Sequence, residues 1–342
     1  MSWAVLCSSS CTVFGDTPVS VDVIRVDQVP VVNIGVFLRS GNWMGIQETD
    51  QQGRAQFSIP DEEAGEYIVC GIWPGEGFRP EGWTMGDIRE SMEAFDSFLS
   101  EFSAPMMVRA ELPIAGAPAL VEIPVVAGIT VSMHMANPDG STVTRGEVFA
   151  PRTIAATPIR EWNNGVVELR GVPAEEGVEI WYRGYSPEYY RLQYPAGLGN
   201  QDVDLGDVVV PQYQPDAMLS MTVTESVATD SAGFAIGANA TLIATDASRV
   251  LGFGLIAQTG ALHTAREFMN EEVSVDVPAG EYFVVPGMVC GSNVLRVLEL
   301  IAEGRAADLR NAGVPVVTCV SNQLVTYSIN ADSALDAIAS VE

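Results

Sequence analysis

The chain has 342 residues, 47% of them hydrophobic, and its 44 acidic and 17 basic side chains leave a net charge of −27. Every basic residue is an arginine, which excludes a Schiff base, a phosphate-binding P-loop lysine and a lysine-derived isopeptide crosslink. A field this negative repels phosphate backbones and anionic membrane surfaces, so neither nucleic acid nor a lipid surface is an expected partner.

The amino end, MSWAVLCSSSC, lacks the basic start of a secretory signal, and its apolar stretch is too short for one. Leu6 also stands where a lipoprotein site needs a small residue before the cysteine. Export by another route, or a signal lying outside this sequence, is the expectation. Residues 1–17 read as an extension ahead of the first folded unit. No apolar run approaches the roughly 18 residues needed for a membrane-spanning segment.

NIGVFLR at 33–39 and RAQFS at 54–58 alternate apolar and polar residues, as half-buried strands do, with the turn signal TDQQG between them. IPDEEAGEYIV at 59–69 then turns the chain into an aromatic-rich strand. In the following TMGDIRESMEAFDSFLSEF, Ile88, Met92, Phe95, Leu99 and Phe102 form one helical stripe. Thr84 with Asp87 fits a capping box at its start. The spacing predicts a helix over about 84–103, packed on its own domain with its acidic face in water.

The same succession of signals returns twice. RGEVFAP (145–151), the Asn-Gly turn NNG (163–165), VVELRG (166–171) and the corner VPAEEGVEIWY (172–182) make the second round. NATLIAT (239–245), EVSVDV (272–277) and the corner VPAGEYFVV (277–285) make the third. NVLRVLELIAEGRAADLRNAG then predicts a helix over about 293–312, at the place where the first round has one. The middle round instead has YRGYSPEYYRLQYPAG and closes on the strand DVDLGDVVV.

The corners begin at residues 59, 172 and 277, an interval suited to one sandwich domain of about 100 residues. The expected fold is therefore all-β, with three tandem antiparallel β-sandwich domains at 18–128, 129–213 and 216–329. The first and third carry inserted helices. PQYQPDA at 211–217 is the expected linker, because prolines at both ends of its core interrupt any strand. The tail 330–342 is either a short amphipathic helix through Leu335 and Ile338 or a frayed end.

A strand, a Pro-x-Gly-x-Tyr turn, a second strand and a closing Leu-Gly-Asp strand together resemble the carboxypeptidase regulatory-like domain. That family is similar to transthyretin-like (prealbumin-like) and collagen-binding B-type sandwiches of Ig-like build. The pattern is carried by Pro278, Gly280 and Tyr282, by Pro60, Gly65 and Tyr67, and more loosely by Pro173, Gly177 and Trp181. Leu205-Gly206-Asp207 supplies the closing strand of the middle copy; the inserted helices depart from the usual pattern. The resemblance implies a seven- or eight-stranded sandwich serving as spacer, adhesive or accessory module, with no catalytic residues to carry over.

The best candidate binding surface is the segment 181–194, where Trp181, Tyr182, Tyr185, Tyr189, Tyr190 and Tyr194 offer rigid contact area with polar tips. The competing reading has alternate residues filling the sandwich while the rest cover the position that helices take in the other copies. Cys7, Cys11, Cys70, Cys290 and Cys319 are the disulfide candidates, and their odd number leaves at least one outside any intrachain pair. Cys290 and Cys319 flank the third-domain helix, which suits a local bridge.

Acidic clusters at 61–63, 175–176 and 202–207 have the hard oxygen ligands calcium takes, but none has EF-hand order, and solvated turns are the expected reading. Only His134 and His263 are available as imidazole bases, and neither sits in a nucleophile motif. Asn239-Ala-Thr241 is a lone glycosylation sequon. No cofactor, metal or catalytic residue is expected. The sequence points to a non-enzymatic structural or assembly subunit of an extracellular or cell-surface particle, with other protein subunits as partners in a homo- or hetero-assembly. A carbohydrate- or protein-binding module using segment 181–194, with polysaccharide as a possible ligand, is the alternative.

Overall fold

The computed structural model describes residues 16–41, 43–61, 63–65, 67–74, 84–112, 117–157, 160–174, 178–184, 188–192, 201–224, 240–253, 272–287 and 291–341. Strands hold 51% of these residues and helices 18%, so the fold is mostly β.

The first unit opens with β1 (Asp16–Arg25), β2 (Gly35–Ser40), β3 (Trp43–Glu48), β4 (Arg54–Pro60) and β5 (Tyr67–Ile72). Helix α1 (Met85–Leu99) leads to β6 (Phe102–Ser103) and β7 (Val108–Glu111), and β8 (Ala119–Ala136) closes the unit. β1 pairs antiparallel with β4 and parallel with β8. β2 pairs with β3 and β5, and β5 with β7. Alternation turns Val19, Val21, Leu38, Phe57, Ile68 and Ile123 inward from the two sheets, and these side chains meet in one core.

The second unit takes the latter half of β8 as its first strand, then β9 (Arg145–Phe149), β10 (Arg160–Glu161) and β11 (Val166–Pro173). β12 (Ile180–Arg183), β13 (Glu188–Leu192) and β14 (Val203–Val209) complete it. β8 pairs antiparallel with β11 and parallel with β14, β9 with β10 and β12, and β12 with β13. Between β10 and β11, Asn164 and Gly165 both take positive φ, 52° and 71°, as an Asn-Gly turn requires.

The third unit runs β15 (Ala217–Thr224), β16 (Ala240–Ala244), β17 (Val250–Phe253), β18 (Glu272–Val277) and β19 (Gly280–Pro286). Helices α2 (Ser292–Ala302) and α3 (Ala306–Asn311) precede β20 (Val316–Cys319) and β21 (Leu324–Asn330), and α4 (Ala331–Ala339) follows. β15 pairs antiparallel with β18 and parallel with β21, β16 with β17 and β19, and β19 with β20. The wiring is the same in all three units.

Several local features differ from the sequence reading. The helical stripe of α1 is rotated: Ser91, Phe98 and Leu99 are buried, Met92 is exposed, and Phe102 lies beyond the helix in β6. Only the second half of α1 packs deeply, while Ser91 sits over Gly35. The single helix expected at 293–312 is two helices, broken where Gly304 takes φ +79° and ends α2 in the left-handed conformation glycine favours. The tail forms α4, with Asn330 accepting from the Ser333 N–H at its start.

The corner aromatics do not share one environment. Tyr282 faces the interior of its sandwich, whereas Trp181 faces outward from its own and Tyr67 is half-exposed beside inward-facing Ile68. Pro to aromatic is a longer step in the first two corners than in the third, so the three aromatics do not stand at one equivalent strand position.

The capping box of α1 is formed: Asp87 N–H donates to Thr84 Oγ1 and Thr84 N–H to Asp87 Oδ2, at 3.3 and 2.6 Å. The Thr84 N–H bond, with help from the Thr84 hydroxyl, holds the Asp87 carboxyl below its ordinary range. Thr84→Ala removes one half of the box and is expected to cost about 1 kcal/mol, read as a lowered denaturation midpoint with unchanged slope.

Candidate interaction surface

The aromatic segment forms the hairpin β12–β13, in which Trp181, Tyr182 and Arg183 pair with Arg191, Tyr190 and Tyr189. Strand alternation divides its side chains between two faces. Tyr182 and Tyr190 face their own sandwich and stack with ring centroids 6.1 Å apart. Trp181 and Tyr189 face the opposite way and meet Phe149 at 6.3 and 6.1 Å.

The face carrying Trp181 is covered by the third unit. Trp181, fully buried, shares a core with Ile243, Val250, Phe283 and Val285 of the adjoining sheet, with α2, and with Ala337 and Ile338 of α4. The backbone continues the contact, because Glu188 and Tyr189 pair with Leu251 and Val250. Two four-stranded sheets thereby become one sheet of eight. The candidate binding residues Trp181 and Tyr182 are thus interior, and Tyr189 and Tyr190 are half-buried beside them. Tyr185 and Tyr194 lie outside the described residues.

Polar groups in this joint are tied to one another. Glu188, only 3% exposed, accepts from the Tyr190 hydroxyl at 2.6 Å and lies 3.6 Å from Arg249 of the third unit. Burial first, then that hydrogen bond, pushes the Tyr190 hydroxyl far above its ordinary range. Arg183 donates to the Tyr189 hydroxyl at 2.9 Å and faces Glu147 at 3.5 Å; burial raises the Glu147 carboxyl despite the arginine. The expected linker is also anchored: Tyr213 donates to the Asp276 carbonyl, and Asp216 accepts from Ser321 and from the Ala279 N–H.

The joint between the first and second units is built differently. β8 runs through it as one 18-residue strand, so the expected boundary at 128/129 falls inside a strand. Beside it, β6 pairs with Val126 and Ala127, and Gly128 N–H donates to the Glu101 carbonyl. Met106 N–H donates to the Arg152 carbonyl and Ile154 N–H to the Ala104 carbonyl, at 2.9 and 3.0 Å. Ile154 is packed in the core of the first unit with Phe98 and Leu99.

The other sequence candidates are occupied locally. His134 is a strand residue whose Nδ1 lies 2.7 Å from Asp207 on the paired strand; His263 and Asn239 lie outside the described residues. Asp61 accepts from Thr17, Asp202 from the Thr130 N–H and Asp204 from the Gly206 N–H. Among the described residues no group of three His, Cys, Asp or Glu side chains converges on a metal position, and no helix is long and apolar enough to cross a membrane. An open groove of about 450 Å³ at the foot of the third unit is lined by Asp216, Met218, Asp276 and Leu324.

Among the described residues Cys70 and Cys319 are buried free thiols; Cys7, Cys11 and Cys290 lie outside the described residues. Burial pushes the Cys70 thiol up to about 12. At pH 8 Cys70 is therefore expected to resist alkylation in native protein and to react on denaturation, as peptide mapping would record. Rapid native labelling of Cys70 would contradict this placement.

The joint had a legible signal that residue type alone did not reveal. In segment 181–192, both alternating faces carry aromatic side chains, the mark of a strand covered on both sides. Glu188, Arg249, Phe149 and Ile154 carried no such mark.

No protein-family model matches the sequence, and no curated protein matches it. Among solved structures the chain overlaps BcpA, the major pilin subunit of Bacillus cereus, at 12% identity and a TM-score of 0.21, over 92% of this chain and 99% of that one. It overlaps the Bacillus anthracis TIE protein at 9% identity and a TM-score of 0.22, over 92% of this chain. The overlap spans 50% of that protein's length. GBS52, the minor pilin of Streptococcus agalactiae, overlaps at 9% identity and a TM-score of 0.28, over 58% of this chain and 98% of that one. At these scores the likenesses assign neither family nor function.

Proposed function

We propose that the chain is a non-enzymatic structural subunit of an assembly at a cell surface or outside the cell. It is built of three tandem sandwich domains at about 18–128, 129–213 and 216–329, with other protein subunits as partners. The observation that carries this reading is the pair of joints. Tandem domains move against each other by default unless their contact is large and apolar. Here one contact shares a strand and the other shares an aromatic core and a sheet. Locked joints suit an element that spaces or bears load.

Composition supports an exterior setting, since screening by salt relieves the self-repulsion of an acidic, lysine-free surface. The Pro-x-Gly-x-Tyr corner at 278–282, with its looser counterparts at 60–67 and 173–181, supports descent from carboxypeptidase regulatory-like sandwiches. Adhesion through segment 181–194 draws less support, because among its described residues Trp181 and Tyr182 are buried and Tyr189 and Tyr190 half-buried. Sedimentation of the purified chain at high concentration, with electron microscopy of its native source, tests the reading. Larger assemblies are expected; a strict monomer, with no assembly in the source, would contradict it.

A further inference from the structure

Both joints use one device. An extended piece of the upstream unit lies antiparallel along the open side of the downstream unit's second hairpin. Ala104–Met106 lies along Arg152–Ile154, and Glu188–Tyr189 along Val250–Leu251. In the first unit the matching hairpin is β2–β3, and among the described residues the open side of β3 pairs with nothing. Met44 holds there the place that Val250 holds in the third unit, one residue past the turn-closing Trp43 and Arg249.

The geometry points to β3 as a docking edge for a second copy of this chain, paired antiparallel with its own counterpart about a two-fold axis at Gly45. Resting on the assembly reading above, this names the surface and the partner. Thr49 N–H donates to the Ile34 carbonyl, so the alternation of the ladder turns Trp43, Gly45 and Gln47 toward β2. The N–H and C=O groups of Met44 and Ile46 then face the open side. The stretch WMGIQ carries no charge, proline or bulge, the usual protections of an outer strand. By contrast, β4 ends in Pro60, β7 carries Arg109 and Glu111, and β14 is bulged between Asp204 and Asp207.

Three observations favour a second copy over other occupants. An antiparallel strand is complementary to itself, so one surface suffices for a closed pair. The register opposes Met44 to Ile46 and Trp43 to Gln47, so no two acids meet, which a chain of net charge −27 requires. The chain also already joins two four-stranded sheets edge to edge, at β13 and β17. Head-to-tail continuation from the third unit is closed. There the segment matching Glu188–Tyr189 is Gly313–Val314, whose N–H groups donate to Arg310 and Leu309.

Sedimentation velocity of the full chain up to about 100 μM, where a small edge interface would associate, tests the proposal. Met44→Pro deletes the outward N–H without touching the β2–β3 ladder, and Met44→Lys places a charge on the edge should the proline variant fail to fold. Wild type is expected to sediment as a dimer and the folded variants as monomers with an unchanged melting midpoint. A wild type monomeric throughout would overturn the proposal. So would dimers that persist in the folded variants. Larger assemblies that survive Met44→Lys would overturn the β3 edge as the contact while leaving the assembly reading in place.

Discussion

Trp181→Ala is expected to lower the unfolding free energy by about 3–5 kcal/mol, the usual cost of emptying a buried aromatic site. The indole touches Phe149 and Tyr189 on its own side and belongs to the core made by Phe283, Val285, α2 and α4 on the other. Its Nε1 donates to Glu179 at 2.9 Å, but that carboxylate is part-exposed and keeps its partner Arg191, so the loss is mainly one of packing. Because the core belongs to two units, the second and third should both lose stability. Denaturant titration monitored by amide exchange in each unit checks this. A loss below about 1 kcal/mol, the range of an exposed substitution, would place Trp181 on the surface after all.

Gly128→Val is expected to destabilise the joint between the first two units by at least about 1–3 kcal/mol, the cost of forcing atoms into a packed site. A Cβ at Gly128 would stand 2.6 Å from the carbonyl carbon and oxygen of Phe102, which are backbone atoms with little freedom to yield. Opposite, Gly171 sits at the bulge of β11 with φ +71°, its own Cβ position 2.6 Å from Leu99. The glycines let α1, β6 and β8 approach closely. A thermal midpoint within error of wild type would show that the units do not press together at this point.

Many of the strands and corners were legible because their causes are local. Period-two alternation marked β2, β4, β9, β11, β16 and β18, and proline and glycine marked the corners that follow. Thr84 and Asp87 marked the start of α1. What could not be read depends on groups without side-chain identity. The pairing of Glu188 and Tyr189 with Val250 and Leu251 is made by backbone, and any outer strand offers the same atoms. The aromatic segment was noticed for its composition, and its burial follows from a neighbouring unit that sequence periodicity does not position. The stripe of α1 was misplaced for a related reason: apolar spacing names a face, but the packing partners, Gly35 and the β6 joint, decide how much of it is covered.

The same reasoning explains why helices occur in only two of the three crossovers. α1 lies over one end of the outer sheet in the first unit, and α2 with α4 covers that sheet in the third. In the second unit the equivalent sheet is covered by the third unit itself, and only four residues separate β12 from β13. A helix there would occupy the space that Phe283 and Val250 fill.

Native-state hydrogen exchange at the two joints is the most direct trial of the claim that the units are fused into one body. Amides of Val126–Ile129 in β8 and of Tyr189–Leu192 in β13 are expected to exchange as slowly as those of the core strands β1 and β19. If these joint amides exchanged at the rate of free linkers while the core strands stayed protected, the units would be beads on a string.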